Sequence, residues 1–238
     1  AKTGVNFEHH KNRLGTYFPS TVALLDRRFL ATLDDRHISN GLAEILKIGL
    51  IKDRHLFQLL DEYAELLLME RLEGVTPIGD IAARNVFSRA VGGMLEELQP
   101  NLWESKLERV VDYGHSFSPT LEMRALPALL HGEAVNVDMA LTTVLAEGRG
   151  LVTTHDRERI FTVMRRLRLP IWHPLCEPGL LQEALRDTVR HRDGLQRMPL
   201  PVGIGGACFV NDLTDVELSR AAETLFELAA QESALGRA

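Results

Sequence analysis

The sequence predicts a mainly α-helical protein with a few short strands, and three observations carry that prediction. From about residue 40 onward, apolar residues recur at helical spacing. Residues 132–147 are apolar on almost every side, as in a helix buried at the centre of a domain. No Gly-rich phosphate turn of the GxGxxG or GxxxxGK type opens a βαβ unit.

Element by element, residues 1–20 read as a polar loop ending at Pro19, and Thr21–Leu25 as a short strand closed by Asp26. Leu42, Ile45, Leu46, Gly49 and Leu50 mark one face of the first long helix, with Ser39 or Asn40 as its N-cap. After a break near Asp53, His55–Met69 repeats the pattern. Gly74–Pro77 forms a turn, and Ile78–Leu98 is a further long helix that Pro100 ends. Ser118-Pro119 starts a helix that carries Glu122. Gly132–Glu147 is the central helix. Thr154 caps the next one, which turns Ile160, Phe161, Met164 and Leu167 inward and five arginines outward. Gly179–Arg190 is shorter. Leu200–Val210, interrupted by Gly203, Gly205 and Gly206, gives one or two short strands about a turn. Thr214 with Glu217 forms a capping box that opens a last helix to about Gln231.

Length and composition set the class. A chain of 238 residues can bury a proper core as one domain or slightly more. Apolar residues at 45% and charged residues at 25% are ordinary for a globular protein. A net charge of −6 argues against a nucleic-acid binder and against a basic membrane-surface protein. No run of about eighteen apolar residues offers a membrane span. Cys176 and Cys208 are too few and too unpatterned for a disulfide framework or a thiolate metal site, so they are expected as reduced thiols in a cytoplasmic protein. The chain opens AKTGVNF, without an initiator Met or a signal-peptide core, and Lys2-Thr3-Gly4 reads as a loop interior.

Three short runs carry chemistry: GLAEILK at 41–47, DYGHSFSP at 112–119 and LHGEAV at 130–135. Together they offer Glu44, His115 and His131, the donor types a divalent metal with an open catalytic position uses. Glu44 and Lys47 lie one helical turn apart, so both heads can enter the same space. An E-x-x-K pair taken alone is equally a surface ion pair, but here Glu44 adjoins the apolar face and would be costly to bury unpartnered. Gly114 permits an unusual backbone dihedral beside His115, and Gly132 suggests a close backbone approach beside His131.

GLAE-x-x-K, GH-[ST]-F and HGEAV, taken together, resemble the metal-binding half of the dehydroquinate synthase-like sugar phosphate cyclases. The opening KTGVN and Lys11-Asn12-Arg13-Leu14-Gly15 resemble the loop that follows the NAD-binding region in the same enzymes. The likeness runs from residue 1 to at least 205, and the sixteen-residue interval from His115 to His131 fits the family's ligand spacing. The resemblance implies a helical metal-binding domain of that fold over residues 31–238. Residues 1–30 would be a loop and strand remnant of the NAD-domain side, with the Rossmann-like NAD domain itself outside the sequence.

The same resemblance implies Glu44, His115 and His131 as ligands of Zn2+, with Co2+ a further option, and Lys47 as a contact to substrate hydroxyls near the metal. Lys2 and Asn12 would fall near the substrate and Lys11 near the NAD cofactor. Arg190 and His191, in a basic stretch, are candidates to hold the phosphate and equally a solvated loop. The departures bear on substrate. Asp112 stands where dehydroquinate synthase typically has Asn and Pro119 where it has a second His, while Met94 and Glu108 replace the Lys and Arg that grip a substrate carboxylate.

The pattern is therefore similar to the branch that cyclises sedoheptulose 7-phosphate to a C7 cyclitol, with Lys47 and Asp112 as catalytic candidates. Three alternatives stand beside it: 3-dehydroquinate synthase, a metal-dependent alcohol dehydrogenase of the glycerol dehydrogenase type, and a catalytically incomplete module. The last would need an NAD-domain partner, whereas relatives of full length are generally homodimers.

Overall fold

The computed structural model describes residues 2–7, 10–18 and 20–235, and of residues 2, 3, 6, 10–13, 17 and 232–235 the backbone alone. The chain begins with a hairpin where a loop was expected: β1 (Lys2–Phe7) pairs antiparallel with β2 (His10–Tyr17), Gly4 opposite Gly15. Ladder hydrogen bonds run between backbone groups, so strands rich in Lys, Asn and Thr pair without an apolar alternation to announce them. The expected strand at 21–25 is not formed. Val22, Leu24 and Leu25 are exposed, and a 3-10 turn, Arg27–Thr32, follows the capping side chain of Asp26.

Helix α1 (Asp35–Ile51) is capped by Asp34, whose carboxylate accepts from the His37 N–H at 2.9 Å, and not by Ser39 or Asn40. Its first turn is exposed and polar, which is why the apolar periodicity starts late. Ser39 and Asn40 serve packing instead: Ser39 donates to the Leu167 carbonyl at 2.5 Å. Asp53 caps α2 (Arg54–Met69), accepting from two backbone N–H groups, and Thr76 caps α3 (Pro77–Leu98).

The short α4 (Ser118–Ala125) precedes α5 (His131–Gly148), which is buried continuously from Gly132 to Ala146. Thr153, one residue before the expected Thr154, caps α6 (Thr154–Arg166). Then follow α7 (Pro178–His191), the antiparallel pair β3 (Met198–Pro201) and β4 (Ala207–Val210), and α8 (Asp215–Leu235). The Thr214–Glu217 capping box forms as the sequence predicts.

Around α5 pack α1, α4, α6, α8 and β3, and α2 packs against α1, α3 and α6. Leu42, Leu46 and Leu50 of α1, Leu141 of α5 and Phe161 of α6 share one core. The α6 arginines do more than face outward. Arg159 bonds Asp61 at 2.7 Å and Arg166 bonds Glu65 at 2.5 Å, fastening α6 to α2. Among the described residues, no helix is long and apolar enough to cross a membrane.

Candidate metal centre

Three separate elements bring the donors together. Glu44 lies midway along α1, His131 is the first residue of α5, and His115 sits in the turn before α4. The entry of α5 can lie on α1 because Gly132 has no side chain: a Cβ there would stand 2.3 Å from the Asn40 carbonyl oxygen. Gly114, at φ +72°, lets the His115 turn lie against α5, where a Cβ would meet Val135 and Met139 at 2.9 Å. Both glycine expectations hold.

Oε1 of Glu44 stands 3.2 Å from Nε2 of His131 and 3.6 Å from Nε2 of His115, and the three donor atoms all lie within 4.8 Å of one another. Ligand atoms on a tetrahedral zinc sit roughly 3.4 Å apart. The hydrogen bonds around the triad settle which atoms point inward. Nδ1 of His115 donates to the Tyr113 carbonyl at 3.1 Å, and Nδ1 of His131 donates to Oε2 of Glu122 at 2.8 Å. With Nδ1 engaged in this way, each ring in its neutral form presents an Nε2 lone pair to the centre. Oε1 of Glu44 is buried and accepts no hydrogen bond, while Oε2 takes one from the Lys47 ammonium at 2.5 Å. With both rings in that form, three acceptor atoms face one point and suit a cation, so the residues fit a divalent metal.

Electrostatics point the same way. Burial and the Lys47 ammonium push the His115 imidazole down to about 4, so the ring is neutral, the ligating form, at physiological pH. Burial raises the Glu44 carboxyl, but the Lys47 ammonium beside it lowers it and holds the group ionised, below the usual carboxylate range. The Lys47 side chain is only 4% exposed, so the pair is not the surface ion pair that E-x-x-K alone allows.

Asp112 opens the same turn, its carbonyl accepting the His115 N–H at 3.0 Å. Its carboxylate is gripped by Arg109, Nε to Oδ2 at 3.0 Å and Nη2 to Oδ1 at 2.6 Å, and Arg109 also pairs with Glu104. Arg190, near the exposed end of α7, pairs with Asp187 at 3.0 Å, and His191 ends that helix, exposed. Lys2 lies on β1 and Lys11 and Asn12 on β2, which runs beside α4, but their side chains lie outside the described residues. Met94 packs against the core, and Glu108 lies 4.0 Å from Arg197.

The second carboxylate of the centre, Glu122, escaped the sequence reading: it meets His131 from the preceding helix, across a bend that no helical spacing encodes. Asp138 was legible in principle as an acid in the middle of the most apolar helix.

Residues 41–190 match the family model of the 3-dehydroquinate synthase C-terminal region and residues 1–40 that of its N-terminal region. The chain belongs to the dehydroquinate synthase family. Within it, a 2-epi-5-epi-valiolone synthase of Actinomyces sp. is 78% identical over 95% of this chain and 60% of its own length. A solved structure of the 2-epi-5-epi-valiolone synthase of Streptomyces hygroscopicus subsp. jinggangensis 5008, with NAD+ and Zn2+ bound, superposes with a TM-score of 0.91. The two are 59% identical, and the match covers 95% of this chain and 61% of that one. A 3-dehydroquinate synthase of Corynebacterium pseudotuberculosis is 31% identical over 94% of this chain and 60% of its own. The chain thus spans about three-fifths of the length of these relatives.

Proposed function

We propose that this chain is the metal- and substrate-binding part of a sugar phosphate cyclase that converts sedoheptulose 7-phosphate to 2-epi-5-epi-valiolone and phosphate. The observation that carries the reading is the convergence of Glu44, His115 and His131, with both Nδ1 atoms engaged elsewhere, in a chain 78% identical to a relative of that name. In the proposed reaction a ring hydroxyl is transiently oxidised, which acidifies the neighbouring C–H. Phosphate leaves by β-elimination, the ketone is reduced back, and the opened sugar closes by intramolecular aldol addition. Zn2+, or Co2+, held by Glu44, His115 and His131, supplies Lewis acidity to a substrate hydroxyl and carbonyl, and NAD supplies the hydride acceptor.

This chain's residues do the rest. Lys47 holds Oε2 of Glu44, which leaves Oε1 for the metal, and places a positive charge where an oxyanion develops. Asp112, kept in place by Arg109, accepts a substrate hydroxyl. Lys2, Asn12, Arg190 and His191 are assigned to substrate and phosphate, and Lys11 to the cofactor. Met94 and Glu108, which cannot hold a carboxylate, favour the heptulose phosphate over the heptulosonate of 3-dehydroquinate synthase. The 1–30 stretch is assigned to the NAD-domain side and 31–238 to the helical domain. Exposed Phe7, Phe18, Leu24 and Phe29 support association with an NAD-binding domain or a second copy. Free Cys176 and Cys208 suit a cytoplasmic setting.

The test adds sedoheptulose 7-phosphate, NAD and Zn2+ to the purified chain, alone and joined to a supplied NAD-binding half. The readouts are phosphate release and mass spectrometry of products. Phosphate with a C7 cyclitol in the joined sample is expected. No release in either, from folded and zinc-loaded protein, would overturn the reading.

A further inference from the structure

Asp138 lies on α5, two helical turns beyond His131, with no solvent exposure. One of its oxygens, Oδ2, accepts from the Phe117 N–H at 2.6 Å and the Ser118 N–H at 2.8 Å. Those are the first donors of α4, a helix that lacks a side-chain cap of its own. The contact therefore ties α5 to a turn whose two ends both serve the metal centre. His115 lies two residues upstream of Phe117, and Glu122, which grips Nδ1 of His131, lies one helical turn downstream of Ser118. The connections close a ring: His131 to Glu122, along α4 to its first turn, across to Asp138, and back along α5 to His131.

From this geometry we infer that Asp138 is a positioning residue for the metal centre, setting His115 and Glu122 in register with His131, and that Thr188 is its second tether. Thr188 donates from α7 to the Ser116 carbonyl at 2.7 Å, inside the same turn. An acid buried in an apolar helix is costly without such a task. Burial raises the Asp138 carboxyl, and the backbone N–H donors and the nearby Arg192 charge offset part of that rise; the balance, at about 6, leaves it mostly ionised at neutral pH. The inference rests on the metal-site reading and goes beyond it by naming what shapes the site from outside the ligand set.

The experiment measures Zn2+ affinity by competition with a chromophoric chelator, and the visible spectrum of the Co2+-loaded chain, in four variants. Asp138→Ala is expected to weaken zinc binding by about 10- to 100-fold and to alter the cobalt bands. Asp138→Asn, which keeps an oxygen for both N–H groups, is expected to stay within about threefold of wild type. Ile160→Ala, in the core of α6, lowers Tm but leaves both metal readouts unchanged, separating positioning from general destabilisation. A folded Asp138→Ala chain that binds zinc as wild type does would overturn the inference. Should that variant not fold, Thr188→Val decides: unchanged affinity and spectrum would overturn the claim that anchoring this turn sets the centre. If the wild-type chain binds neither metal, the metal-site reading itself fails, an outcome distinct from the others.

Discussion

Two imidazoles in this protein are oriented by different means. His115 gives its Nδ1–H to a carbonyl two residues away, a local bond that follows once Gly114 turns the chain. His131 gives its own to Glu122, a carboxylate whose charge raises the basicity of the opposite nitrogen. Glu122→Ala is therefore expected to cost about 10- to 100-fold in zinc affinity while the fold persists, as chelator competition and circular dichroism together will show. The chemical types of the three donors were legible in the sequence, because each sits in a short run, GLAEILK, DYGHSFSP or LHGEAV, that offers a metal-ligating side chain. The partner of His131 was not legible, because it depends on how α4 doubles back on α5.

At the scale of elements, the centre depends on α1 and α5 meeting at their N-terminal ends. Arg36 of α1 forms a two-pronged bridge to Glu133 of α5, at 2.6 and 2.7 Å, and reaches the Ala128 carbonyl at 2.7 Å. Asn40 of α1 accepts from the Glu133 N–H at 3.0 Å, and Glu133 reaches back to accept from the Leu130 N–H at 2.8 Å. Removing the guanidinium leaves a mostly buried carboxylate short of its counter-charge. Arg36→Ala is expected to cost about 1–2 kcal/mol in denaturant unfolding, less than for a buried pair because Arg36 is half exposed. A loss below 0.3 kcal/mol, on the order of a solvated surface pair, would contradict this role for the bridge. The helices themselves were predictable from the 3.6-residue period. The hairpin and the Asp34 cap were not, since neither leaves an apolar rhythm.

For the whole molecule, burying titratable groups makes metal-free stability depend on pH. His115 has a folded value near 4 against an ordinary 6.5, so as pH falls through that window the unfolded chain takes a proton the folded one refuses. His115 thus contributes stability above pH 6.5 that is lost towards pH 4. Asp138, raised to about 6 from 3.8, acts in the opposite sense: its contribution is full below 3.8 and lost as pH rises through 6. In the presence of a chelator, the stability of His115→Gln relative to wild type is expected to rise between pH 7.5 and pH 5. Denaturant titrations at the two pH values check it, and a constant difference would contradict the burial of that ring.

The sequence by itself determined the helical class, the identity of the three donors and the glycines at their sides. These are local properties: a periodicity, a side-chain chemistry, a permitted dihedral. The tertiary structure decided that Lys47 is buried beside Glu44 and that Glu122 orients His131. It also placed Asp138 at the start of α4 and paired β1 with β2. Glu122 and Asp138 meet their partners across bends that packing around α5 closes, and the burial of Lys47 depends on neighbours beyond its own helical turn. The hairpin forms through backbone hydrogen bonds that leave no side-chain pattern.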